Sequence, residues 1–520
     1  MSTKKKELPR HPNLLFIMTD QERYTQHFPD GWEENNLPNM QRLKNNGLTF
    51  TNAFTCASMC SPSRAAIFTG RYPSQTGVTK TFGVGTRFEP NKYDPTEIEL
   101  NPEIPNLARM LHKCKVHKRK VYDKIHYRGK WHMSKGPDGV QQLLPQQIDL
   151  YGFAGWKPPD GGQDWRVRNI GGGFVDNDTH YTKEAVEFIN ERGREKEKSE
   201  NSAKPWCLVF SLINPHDIWT YPRHFPATGY DDDMVIGDIE VPETINEKLK
   251  ENGKPSAQWQ LIHVQEKIEG KSLHNDPQKQ INYLNFYGNL MKKADEQIGQ
   301  VLQALEENGL SESTIIVRTA DHGEMGLAHG GLTQKMFNVY EETIHIPLII
   351  SNPVLFPERK TTDHLASTID ILPTLAGLLK VEPPEGLPGV DLSPLIREYE
   401  YDNGPKDDLN LRTEVLFTFD DFRVEGDRPS AVAAANRIRC VRTKEWKYAR
   451  YFHADSSYKE EYEMYDLKND PNELDNVAWP GSPRYEEVRE EREKLKLLLA
   501  DLEEKELPRK KILKPEPKED

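Results

Sequence analysis

The stretch PNLLFIMTDQ, residues 12–21, contains a compact apolar run that stops abruptly at polar residues. A short, uninterrupted apolar run, here Leu14 to Met18, is typical of a strand that is buried on both faces of a parallel sheet. The same pattern returns in PWCLVFSLINPHD (205–217) and STIIVRTADHGE (313–324), and a fourth apolar run is IHIPLIIS (344–351). In the first three stretches, polar side chains that can bind ligands follow the strand at once.

Helical patterns lie between these runs. The stretch 281–309 has apolar residues at helical spacing and stops at Gly309. Strands that alternate with helices predict an α/β protein with a large, mostly parallel central sheet flanked by helices. Because ligands bind beyond the carboxyl ends of the strands in such sheets, we expect the functional site at the polar residues that follow the strands.

The C-terminal part of the chain has a different pattern. A helix and a Pro/Gly-rich connection (367–396) precede β-hairpin material at 437–452 and 461–476 and a charged helix with a leucine stripe at 484–507. We therefore predict a smaller α+β subdomain of antiparallel strands and a helix. The predicted division is a flexible N-terminus (1–11), a catalytic domain (12–400), this subdomain (401–507) and a disordered tail (508–520).

Composition limits the possible partners. The chain has 520 residues and a net charge of -13, which argues against nucleic-acid binding through a basic surface but allows a small anion in a locally positive pocket. No stretch has the length of a membrane-spanning helix, and the first apolar run is too short for a secretory signal. We therefore expect a cytoplasmic protein without a membrane partner; the oligomeric state is not readable. The five cysteines are odd in number and form no disulfide framework.

Two pairs of residues after predicted strands suit a divalent cation. They are Asp20-Gln21 and Asp321-His322, which supply two carboxylates, an amide oxygen and an imidazole. Oxygen-rich ligation favours Ca²⁺ or Mg²⁺, while the histidine makes Mn²⁺ plausible. An Asp-His pair by itself is more often a capped turn than a metal site.

A third motif indicates the protein family to which this site could belong. The stretch CSPSR (60–64), followed by TGR (69–71), resembles the signature of the formylglycine-dependent sulfatases, which belong to the alkaline phosphatase superfamily. Further similar motifs follow in the expected order, and the resemblance runs from Pro12 to about Asn476: GKWH (129–132), NPHD (214–217), ADHGE (320–324) and MYDLKNDPNEL (464–474). Several short motifs in one order are far more specific than any one of them.

The resemblance implies how Cys60 would act. A separate formylglycine-generating enzyme would oxidise Cys60 to formylglycine, which hydrates to a geminal diol. One diol oxygen would attack sulfur and expel the alcohol. The second hydroxyl would then lose its proton and collapse to the aldehyde, which breaks the carbon–oxygen bond to the sulfate group and releases sulfate. A thiol would instead be left as a stable thiosulfate ester. The alternative, a Cys56–Cys60 metal or disulfide pair, is disfavoured by the flanking motif, and Cys56 is expected to be a small packed residue.

The resemblance also assigns roles to the other site residues. Lys130 and Lys335 would contact the sulfate oxygens, and His216 or Lys335 would protonate the departing alcohol. His132 and Arg64 would hold and polarise the diol. The metal, with Ca²⁺ expected first and Mn²⁺ or Mg²⁺ as alternatives, would be held by Asp20, Gln21, Asp321, His322 and the modified Cys60.

Two positions depart from the commonest sulfatase pattern, because Gln21 and His322 replace an aspartate and an asparagine. Both departures occur together in the branch that contains choline-sulfatases and phosphonate or phosphodiester monoester hydrolases. The leading hypothesis is a hydrolase of organic sulfate esters, and the expected lack of a secretory signal favours a small ester. The two departures bring forward the alternative, a phosphonate monoester or phosphodiester hydrolase. A third hypothesis is a binding protein in which Cys60 is never oxidised.

Some neighbouring residues have open roles. The alcohol is not identified, but four aromatic residues in loops could shape its pocket. They are Trp156, Trp165, Trp219 and Tyr221. Glu324 could support the metal site, begin a helix or act directly, and His329 could line the pocket or be a satisfied turn residue.

Overall fold

A computed structural model of the chain describes residues 7–82, 97–136, 143–161, 176–198, 204–268, 271–400, 409, 411–421 and 432–507. Within these residues the strands form a seven-stranded sheet, a four-stranded sheet and a two-stranded ribbon. In chain order the strands are β1 (Asn13–Asp20), β2 (Gly47–Phe54), β3 (Lys115–Val116), β4 (Arg119–Lys120), β5 (Lys124–Gly129), β6 (Trp206–Pro215), β7 (Thr314–Ala320), β8 (Leu348–Ser351), β9 (Lys360–Ser367), β10 (Glu414–Phe419), β11 (Arg437–Thr443), β12 (Trp446–Phe452) and β13 (Glu461–Asp466).

Helices separate most of the strands, as the sequence pattern predicts. In chain order they are α1 (Trp32–Asn36), α2 (Pro38–Asn45), α3 (Cys60–Thr69), α4 (Pro73–Thr76), α5 (Leu107–Lys113), α6 (Pro145–Asp149), α7 (Asp176–Lys198), α8 (Ser256–Ile268), α9 (Lys271–Asn275), α10 (Pro277–Glu307), α11 (Ala328–Gly331), α12 (Glu341–Ile344), α13 (Ile371–Leu379), α14 (Ser393–Glu400) and α15 (Arg489–Glu506). In the described ranges, none of them is both long enough and apolar enough to cross a membrane.

The large sheet has the strand order β5-β6-β1-β7-β8-β2-β9. Strand β1 pairs in parallel with β6 and β7, and its alternate residues enter two different hydrophobic clusters. Leu14 and Phe16 pack in one cluster with Phe68, whereas Leu15 and Ile17 pack in the other, which contains much of α10. The first apolar run is thus a strand buried on both faces, and the prediction of a mostly parallel sheet flanked by helices is confirmed.

The fourth apolar run differs from the prediction. Strand β8 begins only at Leu348 and runs antiparallel to both of its neighbours, β7 and β2. The first residue of the run, Ile344, ends the short helix α12. The chain leaves β7 at the carboxyl edge and returns into β8 from that same edge, without a helical crossover over the sheet face. This geometry forces the antiparallel direction.

The four-stranded sheet has the order β10-β11-β12-β13, and all of its pairs are antiparallel. Helix α15 covers it through three buried leucines, Leu495, Leu499 and Leu502, which share a cluster with Val441 and Tyr448. The predicted antiparallel strands and C-terminal helix are therefore confirmed. The domain boundary at residue 400 stays a prediction, and the predicted disordered tail lies outside the described residues.

Candidate active site

Two neighbouring parallel strands bring the predicted metal ligands together. Asp20 is the last residue of β1, and Gln21 follows it directly. Asp321 and His322 come directly after β7, the hydrogen-bonded neighbour of β1. The Gln21 backbone N–H donates to Asp321 Oδ1 over 3.0 Å, which ties the two strand ends to each other.

The next two strands along the same edge supply Lys130 and His216. Lys130 follows β5, and His216 follows β6 at the start of a 3-10 turn, His216–Thr220. Gly129 allows this approach because it has φ of 98°, and a Cβ atom there would lie 1.8 Å from the Ser211 carbonyl oxygen. The Lys130 backbone N–H donates to that same oxygen over 3.0 Å.

Cys60 enters the cluster from the other side, as the first residue of α3. All ten residues of this helix are buried, so its N-terminus is held inside the protein. The Cys60 Sγ atom lies 3.2 Å from His322 Nε2 and 3.5 Å from Asp20 Oδ1. Burial raises the pKa of the Cys60 thiol to about 12, and Asp20 adds to the rise. The unmodified residue is therefore a protonated thiol at neutral pH.

Arg64 lies one helical turn after Cys60 and joins the two carboxylates. Its Nη2 donates to Asp20 Oδ2 over 2.8 Å and its Nε to Asp321 Oδ2 over 2.9 Å. Its Nη1 donates to the Lys130 carbonyl oxygen (2.7 Å) and to Ser211 Oγ (2.9 Å). Because the guanidinium is wholly buried and donates to both Asp20 and Asp321, its observed contacts fix the carboxylates; the predicted contact with a diol stays a prediction.

The two carboxylates have opposite pKa shifts. Burial would raise the pKa of Asp20, but the charges of Lys130 and Arg64 outweigh it and hold that pKa well below the usual value. Burial and the charge of Asp20 raise the pKa of Asp321. A second buried carboxylate beside the first is electrostatically unfavourable, and a cation between them would remove that repulsion.

His322 presents a nitrogen lone pair to the same place. Burial, together with Lys335, lowers the pKa of His322 to about 3, so its imidazole is neutral. Its Nδ1 lies 3.0 Å from the Gly323 carbonyl oxygen, which can only accept, so Nδ1 carries the proton and Nε2 is free of it. A histidine that donates one N–H to a backbone carbonyl and offers its other nitrogen is the usual form of a metal ligand.

These donors fit a divalent cation. One ligand atom from each of four buried residues lies within 4.8 Å of the others. The four residues are Asp20, Cys60, Asp321 and His322. Two carboxylates and one imidazole suit Ca²⁺, Mg²⁺ or Mn²⁺.

Gln21 and Lys335 complete this side of the site. Gln21 has φ of 65°, and its side-chain Oε1 accepts a 2.7 Å hydrogen bond from Lys335 Nζ. The Lys335 charge opposes the rise in the pKa of Cys60 and helps to lower that of His322, so the ammonium lies within electrostatic range of both. The structure thus brings Gln21 and Lys335 together with the other predicted residues.

His132 lies in a loop that a distant carboxylate holds in place. It has φ of 54°, and its backbone N–H donates to Asp160 Oδ2 over 2.9 Å, while the Trp131 N–H donates to Asp160 Oδ1 over 2.7 Å. The His132 Nε2 atom lies 3.1 Å from the Phe82 carbonyl oxygen. Burial, with Lys130, lowers the pKa of His132 well below its usual value.

Two buried nitrogens in the site have no hydrogen-bond acceptor among the described residues. They are Lys130 Nζ and His216 Nδ1. Lys130 Nζ is 2.7 Å from Asp20 Oδ2, but the contact is an ion pair without hydrogen-bond geometry. Because a buried polar atom without a partner costs free energy, these two nitrogens indicate a bound polar group in the site.

Two of the four aromatic residues predicted to shape a substrate pocket, Trp156 and Tyr221, pack inside the protein. Trp156 is fully buried and donates to the Gly129 carbonyl oxygen over 2.8 Å, and Tyr221 packs against Phe225 and Phe286. Both are therefore packed in the interior, and their role in shaping a substrate pocket stays a prediction. Trp219 is only partly buried, so its role stays a prediction, and Trp165 lies outside the described residues.

The structure also tests the predictions for His329 and Cys56. His329 is a satisfied residue, because its Nδ1 lies 2.6 Å from Glu247 Oε2 and its ring stacks on Tyr340. Cys56 is fully buried among apolar residues, and all five cysteines are free thiols. The expected packing role of Cys56 and the absence of a disulfide framework are both confirmed.

Sequence reasoning missed several supporting residues. Asp160 holds the loop of His132, Ser211 accepts from Arg64, and Ser63 Oγ donates to the Asp321 carbonyl oxygen over 2.6 Å. Asp160 and Ser211 have no local signal in the sequence, and Ser63 lies within the CSPSR motif, which does not reveal its contact with Asp321.

Comparisons with known proteins agree with this site. The family model described as "Sulfatase" matches residues 12–381, and the one described as "N-sulphoglucosamine sulphohydrolase, C-terminal" matches residues 329–505. Choline-sulfatase from Rhizobium meliloti (strain 1021) is 28% identical over 487 residues, which are 90% of this chain and 82% of that protein.

Two solved structures show the same fold. A 2-O GAG sulfatase has a TM-score of 0.69 at 22% identity and covers 96% of this chain and 93% of its own. The phosphonate monoester hydrolase of Agrobacterium radiobacter has a TM-score of 0.64 at 20% identity, with 94% and 95% covered. Since the sulfatase family model matches well over half of the sequence, the chain belongs to the sulfatase family and is a sulfuric ester hydrolase.

Proposed function

We propose that the protein hydrolyses a small organic sulfate monoester with formylglycine at position 60 as the nucleophilic residue and with one divalent metal ion. The observation that carries this proposal is the position of Cys60 Sγ, 3.2 Å from His322 Nε2 and 3.5 Å from Asp20 Oδ1 in a fully buried cluster. A thiol whose pKa is about 12 is poorly suited to attack sulfur itself. Oxidation of this residue by a formylglycine-generating enzyme therefore belongs to the proposal.

The metal would be held by Asp20, Asp321 and His322, with residue 60 and the Gln21 amide oxygen beside them. When bound, the metal supplies Lewis-acid polarisation of an oxygen ligand. Arg64 holds both carboxylates in place from behind, through hydrogen bonds of 2.8 and 2.9 Å. Ca²⁺ is the first expectation, with Mn²⁺ and Mg²⁺ as alternatives.

The cations around residue 60 would bind the sulfate group. A sulfate monoester carries one negative charge over its non-bridging oxygens, and this charge must be stabilised as the ester bond breaks. Lys130 Nζ is wholly buried and pairs with Asp20 Oδ2 at 2.7 Å, and an ammonium beside one carboxylate can still donate its other N–H groups to those oxygens. Lys335, which contacts Gln21, would bind the same group from the metal side.

The departing alcohol needs a proton, and two residues could supply it. His216 Nδ1 has no partner among the described residues, and Lys335 Nζ is the second candidate. Water then replaces the alcohol in the overall balance, so that one sulfate ester and one water yield one alcohol and one hydrogen sulfate. Proton donation at this position matters most for alkyl alcohols, which are poor leaving groups.

A phosphonate monoester or phosphodiester hydrolase is the second candidate. Such substrates also carry a single negative charge, and the neutral Gln21 and His322 are the two positions that the sequence shares with that branch. The fold alone cannot separate the two activities, because both sulfatases and a phosphonate monoester hydrolase have it.

The test compares p-nitrophenyl sulfate, a p-nitrophenyl phosphonate and a phosphodiester as substrates of protein co-expressed with a formylglycine-generating enzyme. We expect the highest kcat/KM for the sulfate, and no activity in Cys60→Ala. Cys56→Ala is the matched control, because it removes a buried thiol four positions away and should retain activity. Preference for a phosphorus ester would establish the second candidate, and activity in Cys60→Ala would refute the nucleophile.

A further inference from the structure

The orientation of the Gln21 side-chain amide requires explanation. An amide can present either its oxygen or its NH₂ group to a cation, and the two orientations have almost the same shape. Only the oxygen can bind a metal or accept from the Lys335 ammonium. A site that uses glutamine in place of a carboxylate therefore needs hydrogen-bond partners that hold the amide in the orientation with its oxygen toward the cation.

Glu324 provides acceptors on the far side of that amide. Gln21 Nε2 donates to Glu324 Oε2 and, over 3.2 Å, to Gln334 Oε1. Gln21 Oε1 then accepts from Lys335 Nζ over 2.7 Å. Both polar ends of the amide are thus engaged, and the NH₂ end is the one that faces the carboxylate.

The Glu324 carboxylate is itself fixed. Its Oε1 accepts from the Tyr283 hydroxyl (2.7 Å), the Gln334 backbone N–H (2.8 Å) and the Gly326 backbone N–H (3.2 Å). The residue is fully buried, and it lies three positions after Asp321 in the loop that carries the metal ligands. Three donors on Oε1 leave Oε2 as the oxygen that faces Gln21.

We propose that Glu324 is a positioning residue that holds the Gln21 amide oxygen toward the metal and Lys335 and so sets the metal affinity of the site. This inference rests on the proposed function, because it requires the metal. The carboxylate also polarises the amide through its N–H, which makes the amide oxygen a better ligand. Loss of a supporting partner of this kind lowers metal affinity by about 10- to 100-fold.

Glu324→Gln is the discriminating variant. The three donors around Oε1 require the new amide to keep its oxygen there, so its NH₂ group must face the NH₂ group of Gln21. Two donors cannot pair, and Gln21 must turn its NH₂ toward Lys335 and the metal. In the exchange variant Gln21→Glu/Glu324→Gln, the amide NH₂ at position 324 again faces an acceptor, the carboxylate at position 21. The total charge of the pair is the same as in the wild type.

The measurement is the affinity for Mn²⁺, from the electron paramagnetic resonance signal of free Mn²⁺, and for Ca²⁺, from calorimetry, after chelation and dialysis. We expect Glu324→Gln to bind each ion about 10- to 100-fold more weakly, and the exchange variant to regain wild-type affinity or better. Glu463→Gln is the matched control with unchanged affinity, because Glu463 is also buried and accepts from two tyrosines, but in the C-terminal sheet.

The outcomes separate this inference from the proposed function. Equal affinity in wild type and Glu324→Gln, or an exchange variant as weak as the single variant, would overturn the positioning role alone. A wild-type protein that binds neither ion, and does not bind Mg²⁺ in the same calorimetric experiment, would overturn the proposed metal and this inference with it. If Glu324→Gln does not fold, a crystal structure of the metal-loaded wild type decides: the inference requires Glu324 against Gln21 Nε2, and a Glu324 oxygen bonded to the metal would contradict it.

Discussion

The Sγ atom of Cys60 lies 3.2 Å from Nε2 of His322, although 262 positions separate the two residues in the chain. Cys60 begins helix α3 after β2, whereas His322 follows β7, and the sheet brings both to its carboxyl edge. The cysteine of the family signature thus lies beside the residues proposed to hold the metal. Variants of four buried residues in and beside this site, Arg64, Lys130, His216 and Asp217, test the account.

Arg64 should matter for stability chiefly when the metal is absent. It is the buried cation that hydrogen-bonds both Asp20 and Asp321, and removal of one partner from a buried ion pair costs about 3–5 kcal/mol. We expect Arg64→Leu to lose that much free energy of unfolding in chelator, measured with urea. Saturating Ca²⁺ should recover much of it. An equal loss with and without metal would contradict the proposed position of the cation.

Lys130 should act on the sulfate group. Its ammonium is wholly buried and lacks a hydrogen-bond acceptor among the described residues. We expect Lys130→Met to lower kcat for p-nitrophenyl sulfate by about 10²- to 10³-fold, as loss of one oxyanion donor does, and to weaken inhibition by inorganic sulfate. Lys444→Met, which removes an exposed lysine paired with Asp363, is the control. Unchanged inhibition by sulfate would remove Lys130 from the anion site.

His216 should matter more as the leaving group becomes poorer. If its imidazole protonates the departing alcohol, p-nitrophenolate needs little help and an alkyl alcohol needs much. We expect His216→Asn to lower kcat/KM for an alkyl sulfate by about 10²- to 10⁴-fold and for p-nitrophenyl sulfate far less. Comparison of the two substrates at equal formylglycine content is the test. Equal losses would leave Lys335 as the candidate proton donor.

Asp217 should make stability depend on pH. Burial raises its pKa to about 7, although the Tyr230 hydroxyl donates to the carboxylate over 2.7 Å. Since the unfolded carboxyl ionises near pH 3.8, this group destabilises the fold progressively as pH rises from about 4 to about 7. Asp217→Asn should therefore gain stability relative to wild type over that window, measured from urea midpoints at both ends. A difference that does not change with pH would show that Asp217 is ionised in the folded protein.

Much of the fold and site could be predicted because the signals are local. An apolar run such as Leu14 to Met18 indicates a buried strand by itself, and the rule that ligands bind at carboxyl ends then places Asp20 and Asp321 together. The direction of β8 was not predictable in the same way. An apolar run does not indicate whether its strand will be parallel or antiparallel to its neighbours. In the structure, the loop after β7 returns the chain from the same edge of the sheet and so makes β8 antiparallel.

The supporting contacts required the structure. Asp160 holds the backbone of His132 from 28 positions away, and Glu324 orients the amide of Gln21 from 303 positions away. Such contacts depend on which atom of a side chain faces which neighbour, and residue types alone do not specify that. Trp156 is a similar case, because the sequence does not show that its N–H donates to the Gly129 carbonyl oxygen.

The most direct test of the central claim measures the formylglycine content of residue 60 against activity. Preparations made with different amounts of the maturation enzyme would be digested, and the fraction of the residue 60 peptide that carries the aldehyde would be read by mass spectrometry after hydrazide labelling. The account predicts that kcat for p-nitrophenyl sulfate rises in proportion to this fraction and extrapolates to zero without it. Activity that is independent of the aldehyde fraction would contradict the account.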